Sequence, residues 1–251
     1  MASFRWTEYN VRMLSKTSGL LILAIDSATS GCSVCVSNKD GPLAKIVKEM
    51  SRGQAEVLIP MAEAVLKEAS VTPQDLDVIA VTNGPGAFTG LRIGLAGARG
   101  LALALNIPCV GITTLEVLAA ATPRKERTDK VILACVESKR ADIYVQTFAA
   151  DLSPLSEPLA LAGPALFEFC KDIGGLLLVG DAAGRAHEML AGRAADIVLS
   201  SASPLPDPVL IAQLAQRCID QGRLDRTATP EPLYLRPPDA KLPKAQGRAR
   251  A

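Results

Sequence analysis

The sequence predicts an α/β fold built from two related lobes, and three observations carry that prediction. Short apolar runs of strand length alternate with segments of helical period along the chain. Runs such as LLILAID (20–26) and LDVIAVT (76–82) are almost wholly apolar, the pattern of strands covered on both faces. Finally, KVILACVESKRADIYVQTFAA (130–150) repeats the plan of LILAIDSATSGCSVCVS (21–37): an apolar strand containing ILA, an acid near the turn, then an alternating strand.

The elements follow in order. Residues 20–26 form a buried strand ending in Asp26. SATSG is a turn, CSVCVS (32–37) a hairpin partner, and GPLAKIVKEM (41–50) a third strand. QAEVLIPMAEAVLKEA (54–69) has helical period, with Glu63 and Lys67 as an i,i+4 pair; Pro60 marks a kink or the end of its first turn. A buried strand follows at 76–82, a helix at Leu91–Leu105, a strand at 108–112, and a helix at 113–121 opened by a threonine cap. TPRKERTDK (122–130) is a charged, turn-rich break. Beyond the hairpin of 130–150, residues 163–173 read as helix and 175–184 as strand and turn. Residues 207–222 read as a helix with an Asp cap and a Gly stop. The organisation expected is an extension at 1–19, a first lobe at 20–121 and a second at 122–206. A helix and strand at 207–235 return to the first lobe, and a basic flexible tail occupies 236–251.

Composition excludes several classes. The formal net charge of +1 argues against a general polyanion binder. Aromatics are 4% of residues, which leaves few base-stacking platforms. The tail from Arg236 carries five cations against Asp239 and is the one basic concentration. Six cysteines in mostly apolar runs read as buried thiols of a reducing compartment. Cys32 and Cys35 have C-x-x-C spacing, but on a strand they point to opposite faces. No apolar stretch reads as a membrane span, and residues 1–18 lack the apolar core of a signal peptide, so a cytoplasmic protein is expected, with Met13 a candidate start.

NGPGAFTGLRIG (83–94) is the most informative stretch. A strand, a glycine turn and a helix start are the parts of a phosphate cradle. Gly84, Gly86 and Gly90 permit a tight path, Thr89 offers a hydroxyl or a cap, and Arg92 adds charge. The spacing is not that of a nucleotide-hydrolysing loop, no lysine is present, and Pro85 removes a donor. A phosphate site and a purely structural turn both fit.

LILAIDSATSGCSVCVS, VTNGPGAFTGLRIGLAGARGLALALNIPCVGITTLEVLA and EPLYLR together resemble the bacterial TsaB family, once called YeaZ, over roughly residues 20–240. The resemblance implies a two-lobed actin/Hsp70/sugar-kinase-like (ribonuclease H-like) fold with mixed sheets flanked by helices. It implies a scaffold or activating role in forming threonylcarbamoyladenosine in tRNA, without catalysis by this subunit. The implied partners are a TsaD-like transferase, a TsaE-like ATPase, tRNA through the complex, and a second copy when alone. No cofactor is expected to be tightly bound; ATP or ADP with magnesium belongs to the complex.

The family's catalytic relative is expected to hold a metal through a His-x-x-x-His pair; this chain has one histidine, His187, and Gln54 stands where relatives often carry another. Ala87 replaces a usual serine. Asp26, with Thr29 after it, stands where this fold places a phosphate or metal-water contact; capping of the turn by the same carboxylate is the other reading. Glu137, Lys139 and Arg140 match the corresponding turn of the second lobe.

Two rival functions share these residues. A stand-alone small-molecule kinase or ATPase would use Asp26, Thr89 and the loop amides; a peptidase would need a nucleophile and an acid around His187. The helix Leu91–Leu105 favours a protein partner. Gly94, Gly97 and Leu101 lie on one face and Gly100 on the other, so both faces need covering. Leu58 of the preceding helix covers one side, while Ile59 and Leu66 extend a patch outward.

Overall fold

The computed structural model describes residues 19–192, 196–224 and 229–236. The expected extension and nearly all of the expected tail lie outside the described residues. The first lobe is a five-stranded sheet of β1 (Ile22–Asp26), β2 (Gly31–Asn38), β3 (Gly41–Glu49), β4 (Val78–Thr82) and β5 (Cys109–Ile112), in the order β3-β2-β1-β4-β5. β1–β2–β3 is antiparallel; β4 and β5 are parallel to β1. The second sheet comprises β6 (Val131–Glu137), β7 (Asp142–Phe148), β8 (Leu159–Ala162), β9 (Leu176–Val179) and β10 (Ile197–Leu199). Its order, β8-β7-β6-β9-β10, and its strand directions reproduce the first. The duplication suggested by the two ILA hairpins is therefore a duplication of whole sheets.

Among the described residues six α-helices fill the layers: α1 (Gln54–Glu68), α2 (Phe88–Leu105), α3 (Thr114–Ala121), α4 (Gly163–Cys170), α5 (Ala183–Met189) and α6 (Pro208–Asp220). Alternation along β1 and β4 sorts the first core. Leu23, Ile25, Ile79 and Val81 pack with α1 and α2, while Ile22, Ala24, Val78 and Ala80 pack with α6. α3 lies between the lobes. Its Val117 belongs to the core of the first sheet, and its Leu115, Leu118 and Ala119 to the core of the second. Thr113 caps α3 through a reciprocal bond pair with Glu116. Asp207 caps α6 through the Val209 amide, and Gly222 (φ 67°) follows its end.

Three details differ from the sequence reading. α2 begins at Phe88, three residues before the expected start, so Thr89, Gly90 and Arg92 are helical rather than loop residues. α1, by contrast, matches its expected bounds to within one residue, with Pro60 inside it. By length and composition alone α2 would also pass for a membrane span, contrary to that reading; its buried side against β4 makes it a core helix. No strand forms among the described residues after α6. Residues 229–236 instead run extended over the first lobe. The Leu233 amide donates to the Asn83 carbonyl (2.7 Å), Asn83 Nδ2 to the Glu231 carbonyl, and Arg99 to the Pro230 carbonyl.

Candidate functional site

In an open parallel sheet, ligands gather beyond the carboxyl ends of the strands. β1 ends in Asp26 and β6 in Glu137, and the two lobes enclose a cleft of about 900 Å³ beyond those ends. Its walls come from the β1–β2 turn, the β3–α1 turn, the start of α2, the β6–β7 turn and the C-terminal strap.

The glycines of the central loop serve packing within the chain. A Cβ on Gly86 would collide with the Ala28 carbonyl, and one on Gly90 with the Ser27 carbonyl. At Gly94 the obstacle is the Ser27 hydroxyl, which itself donates to the Gly90 carbonyl (2.8 Å). Spaced four apart, these three positions let the first turns of α2 lie directly on the β1–β2 turn. The Ala87 amide is taken by the Ala28 carbonyl (2.7 Å). Gly84 adopts φ 112°, a conformation suited to glycine, ahead of a cis peptide bond to Pro85. Thr89 does not cap α2; the cap position is Ala87, which has no side chain for the purpose.

Asp26 is fully buried and does not line the cleft. Its Oδ1 accepts from the Ala28 amide (3.1 Å) and the Thr82 hydroxyl (2.6 Å), which is the turn-capping arrangement. Burial raises its pKa to about 6, against the lowering effect of those two bonds; Asp181 raises it slightly further. Thr29 does reach the cleft wall, and its buried hydroxyl has no hydrogen-bond partner among the described residues. Gln54 is also on the wall, buried, and donates weakly to the Met50 carbonyl (3.4 Å).

In the second lobe, Glu137 Oε1 accepts from the Lys139 amide (2.7 Å) and pairs with Arg185 (2.6 Å). Asp181 accepts from the Glu137 amide (2.9 Å), and burial raises its carboxyl pKa. Arg92 is committed at the cleft mouth. Its guanidinium lies 3.7 Å over the Phe88 ring, and its Nε donates to the Tyr234 hydroxyl (3.0 Å). Arg236, expected to open a free tail, pairs instead with Asp142 of the second lobe (3.0 Å).

These residues fit a nucleotide–magnesium group poorly. The carboxylate that would face the metal is turned inward, the glycines are filled by the chain's own turn, and Arg92 is engaged. Among the described residues no three His, Cys, Asp or Glu side chains form a metal-binding group, and His187 lies exposed on α5. Cys32 packs in the α1–α2 core and Cys35 projects from the other face of β2. Burial pushes their thiols up to about 11 and about 12, far from thiolate formation at neutral pH.

The expected partner face needs sorting. Leu58 and Leu66 are core residues, because both lie under α1 in the first-sheet cluster. Gly94 is buried against the β1–β2 turn, Gly97 packs on Leu58 of α1, and Leu101 is half-buried against the same core. Ile59 and Gly100 remain on the outside, joined by Ala96, Leu103 and Ala104. Leu103 is 84% exposed, Ile59 is 40% exposed, and a Cβ on Gly100 would meet open space. The sequence reading expected the chain up to 235 to return to the first lobe as a strand but did not foresee how the strap is anchored. Its one signal was the spacing of Arg92 and Arg99, seven apart on one helix face, which grip Tyr234 and Pro230.

Two sheets of identical order, a shared helix between them and a cleft at the strand ends define a duplicated, two-lobed α/β protein. The profile of the family described as "TsaD: tRNA N6-adenosine threonylcarbamoyltransferase" matches residues 46–189. The chain is 28% identical over 219 residues to the tRNA threonylcarbamoyladenosine biosynthesis protein TsaB of Escherichia coli (strain K12), covering 86% of this chain and 94% of that one. It is 38% identical over 128 residues to the protein of the same name from Buchnera aphidicola subsp. Schizaphis graminum, covering 49% and 58%. The solved structure of YeaZ from Pseudomonas aeruginosa superposes with a TM-score of 0.72 at 24% identity, over 86% of this chain and all of that one. The chain belongs to this TsaD-type family and, within it, to the TsaB (YeaZ) branch.

Proposed function

We propose that this chain is the scaffold subunit of the complex that makes threonylcarbamoyladenosine in tRNA, and that it activates a TsaD-type transferase by pairing with it. The names of its relatives support the pathway. The observation that carries the pairing is the bare outer face of α1 and α2, where Ile59, Gly100 and Leu103 stand exposed on helices whose inner faces are already covered. Small residues there allow a partner helix to approach closely, and a second copy would cover the same face when the transferase is absent. The chain itself supplies no catalytic residue. ATP or ADP with magnesium, the TsaE-type ATPase and the tRNA are placed at the level of the assembly, in the cytoplasm. The kinase reading lacks its anchors, since Asp26 is buried and bonded inward. Light scattering on the chain alone and mixed with a TsaD-type subunit tests the proposal. A homodimer that gives way to a heteromeric complex is expected; a monomer indifferent to the transferase would refute it.

A further inference from the structure

We infer that the cleft mouth, where Phe88, Arg92 and Tyr234 form one stacked unit, is a landing platform for unpaired bases of RNA. The inference rests on the reading of the chain as a subunit of an RNA-modifying complex, and it names the element that touches the RNA. Phe88 and Tyr234 are 52% and 44% exposed, the two most exposed aromatic rings among the described residues. Their centroids are 5.6 Å apart at an interplanar angle of 29°. The low aromatic content spoke against stacking, but composition is blind to position: these two rings come from distant segments, one at the start of α2 and one in the strap.

Arg92 holds the rings together through its Nε and its π contact, and its terminal nitrogens have no hydrogen-bond partner among the described residues. The charge around the platform has the matching sign. Five cationic side chains line the cleft against two carboxylates, Glu56 and Glu137; Arg236 is paired with Asp142 and Glu137 with Arg185, which leaves four cations against Glu56. In a chain of net charge +1 this is a local concentration, suited to a phosphate backbone. A free nucleotide is the weaker occupant, because the loop that would cradle its phosphates is filled by Ser27 and Ala28. Unpaired bases need only an exposed ring face and nearby cations.

The test uses an anticodon stem-loop RNA carrying fluorescein and a loop 2-aminopurine, titrated into the full chain. Binding should quench 2-aminopurine and weaken with salt. Phe88→Leu and Tyr234→Leu should each lower affinity roughly tenfold and abolish the quench, with melting temperatures unchanged. Phe88→Trp and Tyr234→Phe should retain both. Binding without quench, displacement by ATP, equal affinity for a blunt RNA duplex, or leucine variants that simply melt would each overturn the inference. Pairing of Phe88→Leu with the TsaD-type subunit should be intact. Its loss would reassign the rings to a protein interface and overturn the inference, whereas wild-type failure to pair would sink the scaffold reading alone.

Discussion

Two glycines three residues apart on α2 separate folding from pairing. A Cβ on Gly97 would sit 2.9 Å from Leu58 Cδ2, already too close, and a phenyl group adds a whole ring into the α1–α2 contact. Overpacking by even a few methylenes costs about 1–3 kcal/mol, so Gly97→Phe should lose at least about 3 kcal/mol. For a domain of this size that lowers the melting temperature by roughly 6–12 °C. Gly100 has nothing within 4 Å, so the same substitution there meets only solvent. Glycine is about 1 kcal/mol worse than alanine inside a helix and phenylalanine about half as bad, so Gly100→Phe should gain a few tenths of a kcal/mol. Its ring would nevertheless fill the gap a partner helix must enter, and pairing should weaken by about a hundredfold or more, about 2.7 kcal/mol. Thermal melts by circular dichroism report the folding, and light scattering with a TsaD-type subunit reports the pairing. If both variants fold and pair, or if both unfold, the division of α2 into an inner and an outer face is wrong.

Three further outcomes follow from the site. Asp26 binds its proton more tightly in the folded chain (pKa about 6) than unfolded (3.8), so its own contribution to stability is fully present below about pH 4 and is lost as pH rises through about 6. Asp26→Asn keeps an acceptor for Ala28 and Thr82; it should gain about 1–3 kcal/mol at pH 7.5 and flatten that slope, and urea titrations showing no gain would contradict the burial argument. Gly90→Ala should cost about 2–4 kcal/mol through the Ser27 carbonyl, whereas Gly184→Ala, in open space on α5, should gain about 0.5–1 kcal/mol; equal melting temperatures would refute the packing role of Gly90. Truncation after Arg236 should weaken RNA capture by the complex more at low than at high salt, because the removed stretch is basic, and an unchanged salt slope would leave it without a role in capture.

Much of the frame was legible because it is set by local pattern. β1, β4 and β6 announce themselves as apolar runs, and α3 and α6 carry their caps in the sequence as Thr113 and Asp207. The start of α2 was misplaced because no side chain caps it: its first turn is held by the β1–β2 turn, a tertiary contact. β8, α5 and β10 were not anticipated; they are three to seven residues long and too short to show a period. Gly86 and Gly90 were visible as a phosphate site or a structural turn, with nothing in the sequence to choose between them, and Gly94 as a partner contact. Only the fold shows that Ser27 and Ala28 occupy the space beside them. The strap left almost no pattern, since backbone carbonyls and amides do most of its holding.

The central claim is that this chain activates a transferase without performing the transfer. Reconstitution measures it directly: a TsaD-type subunit, a TsaE-type ATPase, a threonylcarbamoyl donor and unmodified tRNA, assayed for threonylcarbamoyladenosine with and without this chain. Modification should require the chain, fail with the chain as the sole protein, survive Asp26→Asn, and be lost with Gly100→Phe. Modified tRNA from the chain alone, or an undiminished rate in its absence, would contradict the account.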